Sequence, residues 1–522
     1  MIQVKDFRGH IRNWEALCGE LDIDKALSRE AREEAILIKA YETWGYDMAA
    51  HMYGMFAFAL WDEEEQKLFC LRDQLGTKPF YYYETTDGRL LYGGTVRQIL
   101  EQEGFVKELN DRVLQLYMTL TYLPGEDTFF KGLKKLLPGR YLVWQDGKLT
   151  IERYWKPNYR PDYSKSLEDW ADELHNTLKE IMPEVKTDEE DAWSFLSSGV
   201  DSSYVLAMTD IENAASCGYD HEALDESREA AKTAELLGRK MNRRIIQPEE
   251  YFGIVPWVMY NMEQPLGDAS AIAFALGCRS VAENTKLCYS GEGSDELFGG
   301  YNMYRNAERY GDNLKTFYVG NTNIMKEDEK KRILKKYYDD VLPIDLVKDI
   351  YAETEDLDPL TKMQNIDIQI YLEGDIYLNI DKMAEAAGLE IRMPITDMRI
   401  FDIAERMPAE CKIPPAREVD GERVESPNKA AVRMAANKVL PDNIAYRKKL
   451  GFVVPIRYWM ADDRYNGDVR AKFNSDMAEQ FFNVDEINAI FDEYVGGNSD
   501  LWRKVWTIYT FLVWYEEYFV KR

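Results

Sequence analysis

The chain has 522 residues, of which 45% are hydrophobic and 13% aromatic, so it is long enough for two or three domains with buried cores and is not typical of a disordered protein. Its formal net charge of -28 disfavours a broad nucleic-acid-binding surface, and an anionic substrate would need a local cluster of donors and cations. The six cysteines form no CxxC pair and the four histidines show no metal-ligand spacing, which disfavours a zinc site, a disulfide framework and histidine-based nucleophilic catalysis.

Membrane and secretory signals are absent from the sequence pattern. No segment approaches the roughly 18 apolar residues that a membrane helix needs. The first residues, MIQVKDFRGH, have no apolar core of signal-peptide length. We therefore expect a protein with no membrane partner in a reducing, cytoplasmic setting.

Residues 1–155 have the pattern of a mixed α and β domain. Residues 31–52 carry helical periodicity, and GMFAFALWDEEEQKLFCLRD (54–73) predicts two strands around an acidic turn. The stretch KPFYYYETTDGRLLYGG (78–94) predicts two more strands around an Asp-Gly turn. Residues 156–166 contain two prolines and little apolar content, which predicts a linker between domains.

Residues 167–522 alternate predicted strands and helices. A helix over 167–182 precedes the strand AWSFL (192–196), and another helix is expected from about Ser202. A further strand leads to a glycine-rich turn near residue 290, and the chain is mostly helical from about Val341. This alternation predicts a parallel sheet covered on both faces.

The stretch SFLSSGVDSSYV (194–205) places small hydroxyl residues between a predicted strand and helix. The N–H groups of a first helical turn attract anions, and Gly199 lets the backbone approach a ligand closely. Asp201 beside an anion implies an intervening Mg²⁺. The stretch is not a P-loop, because the lysine of that motif is missing. The alternative is that the serines only cap the N-terminus of the helix. The candidate phosphate-binding residues in this stretch are Leu196, Ser197, Ser198, Gly199, Asp201, Ser202 and Ser203, and the family resemblance described below implies that the phosphate is that of ATP and pyrophosphate.

A second turn, SGEGSDELFGGY (290–301), repeats the design of strand, small residues, carboxylates and helix. Two such loops at the carboxyl ends of a parallel sheet would face one ligand. Ser290 and Gly291 then join the phosphate-binding set, and Asp201 and Asp295 would hold one metal ion between them. Taken alone, the turn could be a solvated acidic helix start.

These stretches resemble the asparagine synthetase family. LSSGVDSS resembles its pyrophosphate loop LSGGxDSS, and the resemblance continues in order over nearly the whole chain. The other matching blocks are 54–83 and 133–144 in the glutaminase-like part, and 263–274, 290–301, 381–397 and RKKLGFVVPIRYW (447–459) in the synthetase part.

The resemblance implies a particular fold class. It is an α/β protein with an incomplete, Ntn-type glutaminase-like α+β sandwich at 1–155 and a linker at 156–166. An ATP-pyrophosphatase domain of the PP-loop type, with a parallel sheet and a helical C-terminal part, would occupy 167–522.

The family resemblance also implies an activity, ATP-dependent amidation of aspartate to asparagine through β-aspartyl-AMP, with release of AMP and pyrophosphate. Glu292 would take a proton from ammonia, and Lys449 would stabilise the α-phosphate; a surface charge is the alternative for Lys449. In the related β-lactam synthetases a tyrosine replaces the glutamate, so Glu292 favours an external amine. The implied cofactors are ATP and Mg²⁺, and the substrates are aspartate and ammonia, free or glutamine-derived.

The first domain departs from the family pattern. The family begins Met-Cys-Gly and uses that cysteine on glutamine, whereas this chain begins MIQ and enters the pattern about where the family has NGEIYN. The family's SDTE is REEA here, with Glu33 nearest the glutamine-holding aspartate, and its ASE is GGT at 93–95. A misplaced start would not explain those internal changes. We therefore expect no glutaminase nucleophile and the use of ammonia, while an uncovered sheet edge favours a homodimer.

Two alternatives stay open on sequence alone. The chain could amidate another carboxylate, which residues around Gly218, Asp268 and Arg392 would decide, or it could be a non-catalytic regulatory subunit. Ser198, where the family usually has glycine, needs a permissive backbone angle, narrows the loop or adds a donor.

Overall fold

The structure is a computed structural model that describes residues 1–185, 191–310, 314, 318–419, 422–449, 451 and 453–522. It contains two compact units. Unit 1 comprises Met1–Asp111 and Pro124–Asn158, and unit 2 comprises Arg112–Leu123 and Tyr159–Arg522. Within the described ranges, no helix is both long and apolar enough to cross a membrane.

Unit 1 is built on two antiparallel sheets, with strand orders β1-β2-β3-β7-β8 and β5-β4-β6. Both predicted hairpins are present, as β2 with β3 and β4 with β5. The strands are β1 Ile2–Ile11, β2 Gly54–Asp62, β3 Lys67–Arg72, β4 Tyr81–Glu84, β5 Leu90–Gly93, β6 Lys134–Lys135, β7 Arg140–Gln145 and β8 Lys148–Arg153. The helices are α1 Trp14–Glu20, α2 Arg29–Trp44 and α3 Val96–Leu100, with a 3-10 turn at Gly45–Ala50.

Strand β2 shows why the larger sheet of unit 1 is buried on both faces. Phe56 and Phe58 belong to a core cluster that also contains residues of α2, such as Ile36. The intervening Ala57 and Ala59 belong to a second cluster on the other face. Because side chains alternate along a strand, one apolar run supplies both cores, and an α+β sandwich results.

Unit 2 is built on a five-stranded sheet in which every pairing is parallel. Its strands are β9 Trp193–Phe195, β10 Asn213–Tyr219, β11 Lys240–Ile246, β12 Leu287–Tyr289 and β13 Glu390–Arg392; β14 Arg417–Val419 and β15 Glu422–Val424 form a separate hairpin. The helices before β13 are α4 Leu114–Leu120, α5 Leu167–Val185, α6 Val200–Ala207, α7 Ser227–Leu236, α8 Pro248–Met262, α9 Ser270–Ala282, α10 Ser294–Phe298, α11 Ala307–Tyr310, α12 Glu327–Ile333, α13 Pro343–Ala352, α14 Pro359–Ile366, a π-helix at Asp367–Tyr377 and α15 Leu378–Ala387. The helices after β13 are α16 Met398–Arg406, α17 Ala409–Lys412, α18 Ala430–Ala436, α19 Asp442–Ala445, α20 Ile456–Trp459, α21 Asn466–Phe473, α22 Asp476–Phe481, α23 Val484–Val495 and α24 Trp502–Tyr515, followed by π turns at Glu516–Val520.

The strand order of this sheet is β11-β10-β9-β12-β13. From β9 the chain builds outward through β10 and β11 on one side, and then returns to add β12 and β13 on the other. The order reverses between β9 and β12, whose carboxyl ends pair as Tyr289 with Ser194. Ligands of open α/β sheets bind at such a reversal. The parallel sheet and the mixed α/β class predicted from the sequence are therefore confirmed.

Helix α4 packs within unit 2 although it precedes most of that unit in the chain. The Tyr117 hydroxyl is 2.7 Å from Thr510 Oγ1 and donates to Thr507 O at 3.1 Å. The buried Lys330 ammonium donates to Gln115 O at 3.1 Å and to Thr119 Oγ1 at 2.7 Å. Helix α4 thus provides polar partners for α24 and α12 inside unit 2.

The π-helix begins at Asp367, a fully buried carboxyl group. Its Oδ2 accepts hydrogen bonds from the Tyr304 hydroxyl at 2.5 Å and from the Tyr318 hydroxyl. Burial raises the pKa of Asp367 to about 7, even though both tyrosine bonds lower it. The folded protein therefore binds a proton here that the unfolded chain releases at lower pH, so stability falls as pH rises from about 4 to 7.

Asp367→Asn should reduce this pH dependence because an amide does not ionise. We expect the melting temperature of the wild type to fall relative to the variant between pH 5 and pH 8, by the equivalent of up to about 3 kcal/mol. Asp500→Asn, at an exposed carboxylate, is the control and should follow the wild type. Parallel melting curves for Asp367→Asn and wild type would contradict the assignment.

Candidate functional site

The serine loop follows β9 and leads into α6. Leu196 N donates to Ala215 O at 2.9 Å, which extends the sheet by one bond before the loop. Helix α6 begins at Val200, two residues before the predicted start, with Gly199 as its N-cap residue. Its first turn therefore lies at the carboxyl end of β9, as expected for an anion-binding loop.

The hydroxyl groups of the loop bind one another and the loop backbone. Ser197 N donates to Ser202 Oγ at 3.0 Å, and Gly199 N donates to Ser197 Oγ at 3.1 Å. Ser203 Oγ donates to Gly199 O at 2.8 Å. These bonds fix the shape of the loop, so its serines have a structural role in addition to any contact with phosphate.

Ser198 does not require a strained backbone, since its φ is outside the left-handed region. Its hydroxyl donates to Glu226 Oε2 at 2.6 Å, and its amide donates to the same oxygen at 3.3 Å. Glu226 is buried, and burial raises its pKa while the Ser198 hydroxyl and the charge of Lys449 lower it. Sequence reasoning missed Glu226, which lies just before α7; the hydroxyl of Ser198 is thus committed to this carboxylate.

The second loop joins β12 to α10 and touches the first. Ser290 N donates to Arg392 O at 2.9 Å. A Cβ atom at Gly291 would lie 2.7 Å from both Asp201 C and Ser202 N, and a Cβ at Gly300 would lie 1.7 Å from Asp295 Oδ1. Only glycine fits at these two positions, because the backbone of one loop lies against the other and against the Asp295 carboxylate.

Asp201 and Asp295, the predicted metal ligands, lie side by side and contact two lysines. Lys429 Nζ is 2.5 Å from Asp201 Oδ2 and 2.7 Å from Asp295 Oδ1. Lys449 Nζ donates to Asp295 Oδ2 at 2.7 Å. The structure therefore brings together four charged groups from three distant parts of the chain, with an ammonium group between the two carboxylates.

Lys429 was not predicted from the sequence. It precedes α18 with left-handed backbone angles, φ 55° and ψ 45°, which cost on the order of 1 kcal/mol for a non-glycine residue. The neighbouring Asn428 amide donates to Gly300 O at 2.7 Å. The local sequence SPNKAA gives no signal for this contact, which depends on how α18 packs in the folded unit.

The charges of the site shift several pKa values. Burial would raise the pKa of Asp295, but Lys429 and Lys449 hold it well below the ordinary value. Desolvation would lower the pKa of Lys449, but the carboxylates of Asp295, Asp201 and Glu292 raise it. The site thus keeps Asp295 and Lys449 charged at neutral pH.

Glu292 differs from the Asp295 carboxylate because its pKa is raised. Desolvation by the surrounding atoms is the main cause; Lys449 opposes it, and the carboxylates of Asp295 and Asp201 add to it. The residue is at the same time open to solvent. The raised pKa of Glu292 is therefore caused by protein atoms packed around an accessible carboxylate. A carboxylate with a raised pKa at an accessible position suits proton transfer.

The donor set fits Mg²⁺. Asp201 Oδ1 is buried and has no hydrogen-bond partner within the described part of the chain, so it is an oxygen available to a cation. No cluster of three or more His, Cys, Asp or Glu side chains with metal-binding geometry occurs among the described residues. Mg²⁺ commonly uses one or two protein carboxylates together with substrate phosphates, and two aspartates satisfy that requirement.

The residues expected to decide the acceptor have other contacts. Arg392 donates to Val185 O at 2.6 Å and to Glu390, so it binds the end of α5. Asp268 Oδ1 accepts from Ser270 N at 2.9 Å, and a Cβ at Gly218 would meet Asp225 at 2.2 Å. In the block at 447–459, Leu450 and Phe452 lie outside the described residues.

In unit 1, the REEA and GGT segments, which replace the family's SDTE and ASE, make contacts with other residues of the same unit. Glu33 is buried, and its Oε1 accepts from Ile11 N at 3.1 Å. The Arg8 guanidinium donates to Gly94 O, and a Cβ at Gly94 would lie 2.1 Å from Arg8 Cδ. The REEA and GGT segments are therefore bonded to β1.

The cysteines of unit 1 are also unsuited to nucleophilic attack. Cys18 and Cys70 are both buried, and burial raises the pKa of each thiol. A thiolate is the reactive form, so neither side chain provides a nucleophile at neutral pH.

Comparison with known proteins gives matches to both parts of the chain. A family model described as "Asparagine synthase" matches residues 174–516, and one described as "Glutamine amidotransferase domain" matches residues 4–155. The glutamine-hydrolyzing asparagine synthetase 1 of Bacillus subtilis is 29% identical over 558 residues, covering 99% of this chain and 86% of that protein. A putative glutamine-hydrolyzing asparagine synthetase of Mycobacterium bovis is 28% identical over 555 residues, covering 98% and 83%.

These matches define an amidotransferase-like domain followed by a synthase domain. Because the synthase model covers more than half of the chain, the protein belongs to the asparagine synthase family. The predicted family and the assignment to an ATP-dependent ligase of the asparagine synthase type are therefore confirmed.

Gly291→Ala should separate the two loops, because the new methyl group would clash with the backbone of Asp201 and Ser202. We expect the free energy of unfolding to fall by about 1–3 kcal/mol. We also expect ATP-dependent pyrophosphate release to be lost. Gly253→Ala is the matched control: its Cβ would meet nothing within 4 Å, and in helix α8 it should add about 0.5–1 kcal/mol. Full activity in Gly291→Ala would contradict the close approach of the loops.

Proposed function

We propose that this protein converts aspartate to asparagine by forming β-aspartyl-AMP from ATP and then displacing AMP with ammonia. The observation that carries the proposal is the convergence of Asp201, Asp295, Glu292 and Lys449 at the reversal of the strand order. Family membership supports the general reaction, and this geometry supports the roles of the individual residues.

In the first step, the aspartate side chain attacks the α-phosphate and pyrophosphate leaves. Lys449 is the cation for the charge that develops there, since its raised pKa keeps it protonated. Its side chain is 36% exposed, and its Cδ lies 3.8 Å from the Cβ position of Gly199, so it can reach a phosphate held by the serine loop. Prearranged donors and cations of this kind stabilise the transition state. Mg²⁺ held by Asp201 and Asp295 would neutralise phosphate charge.

In the second step, ammonia attacks the acyl carbon and loses a proton as AMP leaves. Glu292 is the proposed acceptor of that proton. Its raised pKa makes it a stronger base than an ordinary carboxylate, and its accessibility allows ammonia to approach.

The proposed nitrogen source is free ammonia. Three features of unit 1 support this choice. Its thiols are buried, Glu33 accepts a hydrogen bond from a backbone amide, and the Arg8 side chain lies against Gly94. The domain boundaries at 155 and 167, the homodimer and the cytoplasmic location remain predictions.

The nitrogen source is tested by incubating the protein with ATP, Mg²⁺, aspartate and either ammonium or glutamine, and by measuring AMP, pyrophosphate and asparagine. We expect asparagine with ammonium and none with glutamine, because unit 1 provides no reactive thiol. Release of glutamate from glutamine would contradict the proposal for unit 1. Absence of pyrophosphate with both nitrogen sources would instead argue for a different carboxylate acceptor.

Glu292→Gln and Lys449→Met should separate the two chemical steps. We expect Glu292→Gln to keep aspartate-dependent exchange of labelled pyrophosphate into ATP but to lose asparagine formation by about 100-fold or more. Lys449→Met should lose both activities, because the α-phosphate loses its cation. Lys448→Met, at the adjacent exposed lysine, is the control. Loss of exchange in Glu292→Gln would contradict its assignment to the second step.

A further inference from the structure

The ammonium group of Lys429 lies where the sequence predicts a metal ion. We propose that Lys429 is a positioning residue that holds Asp201 and Asp295 together and competes with a divalent cation for their oxygens. This inference rests on the metal site of the proposed function.

The Lys429 ammonium contacts both carboxylates closely, and all three side chains are largely shielded from solvent. Lys429 Nζ is 2.5 Å from Asp201 Oδ2 and 2.7 Å from Asp295 Oδ1. The side chains of these three residues are 2%, 9% and 11% exposed, respectively. One ammonium group therefore neutralises two neighbouring carboxylates that would otherwise repel each other in a poorly solvated place.

The backbone around Lys429 fixes this position. Arg433 Nε donates to Asn428 O at 2.8 Å, and Arg433 Nη1 donates to Ala445 O at 2.8 Å. Asn428 in turn donates to Gly300 O, close to Asp295. Lys429 adopts left-handed angles within this frame, and such strain persists only where surrounding structure imposes it. These hydrogen bonds of the protein thus hold the backbone that places the ammonium group between the carboxylates.

Lys429 and a metal ion cannot use the same oxygens at once. Mg²⁺ binds carboxylate oxygens at about 2.0–2.1 Å. An ion bridging the two aspartates would occupy the space that Nζ fills. Asp201 Oδ1, buried and without a partner in the part of the chain that is described, is the oxygen from which an incoming cation could begin the exchange. An ion that bridges the two aspartates through Asp201 Oδ2 and Asp295 Oδ1 therefore requires Nζ to leave at least one carboxylate.

Two consequences follow. Lys429 keeps the two loops together before any metal arrives. It also weakens binding of the metal alone, so that substrate phosphates are needed to complete the exchange.

The test compares metal-free wild type with Lys429→Met, and uses Lys448→Met, at an exposed lysine, as the control. Thermal unfolding is followed with and without millimolar MgCl₂, and Mn²⁺ binding is followed by electron paramagnetic resonance, both without nucleotide. We expect the wild-type melting temperature to change by less than about 1 °C with MgCl₂. Lys429→Met should melt about 5 °C lower without metal, recover much of this loss with MgCl₂, and bind Mn²⁺ about tenfold more tightly.

Two results would overturn the proposal. One is a Lys429→Met protein as stable as the wild type; the other is a destabilised protein that neither MgCl₂ nor Mn²⁺ restores. Should Lys429→Met not fold, Lys429→Arg takes its place: its guanidinium can bind both carboxylates, so it should keep the wild-type melting temperature and the weak response to metal. A strong metal response in Lys429→Arg would refute competition. These measurements involve no turnover, so they are distinct from a failure of the wild type to make asparagine.

Discussion

The parallel pairing of β9 with β12 is the constraint on which the site depends. These two strands are neighbours at the point where the strand order reverses. Each is followed by a loop at its carboxyl end, so both loops begin at the same edge of the sheet. The loops then touch at Gly291, which brings two aspartates together. Like charges at this spacing need cations, and two lysines from later in the chain supply them. Sheet topology therefore determines the electrostatics of the site.

The parts of this arrangement that are local in sequence could be predicted from it. A strand, a run of small residues and a helix start are visible in 194–205 and again in 290–301, and their facing position follows from general properties of parallel sheets. Lys429 and Glu226 could not be found in this way. Each acts through a partner more than twenty residues away, and SPNKAA and LDES have the composition of ordinary surface turns. Contacts made only by tertiary packing leave no short-range pattern.

Unit 1 shows a similar division. The segment 54–73 predicted two strands around an acidic turn, and the structure adds that β2, the first of them, packs on both faces through Phe56, Ala57, Phe58 and Ala59. The substitutions near Glu33 and Gly94 indicated a change of function, but only the structure reveals that the chain's own carboxylate and guanidinium occupy these segments. Composition alone does not reveal this occupancy, because it depends on which side chains the fold brings back over β1.

Helix α4 limits how the protein can be divided. A fragment that starts at the beginning of the second matched family region would lack residues 112–123 and, with them, the hydroxyl that meets Thr510 and the acceptors of the buried Lys330 ammonium. Such a fragment would leave the Lys330 ammonium with Glu327 as a partner but without the two acceptors that helix α4 provides. The synthetic half is therefore not a separable module in the linear chain, and any attempt to transplant it must carry this short segment from the other side of the sequence.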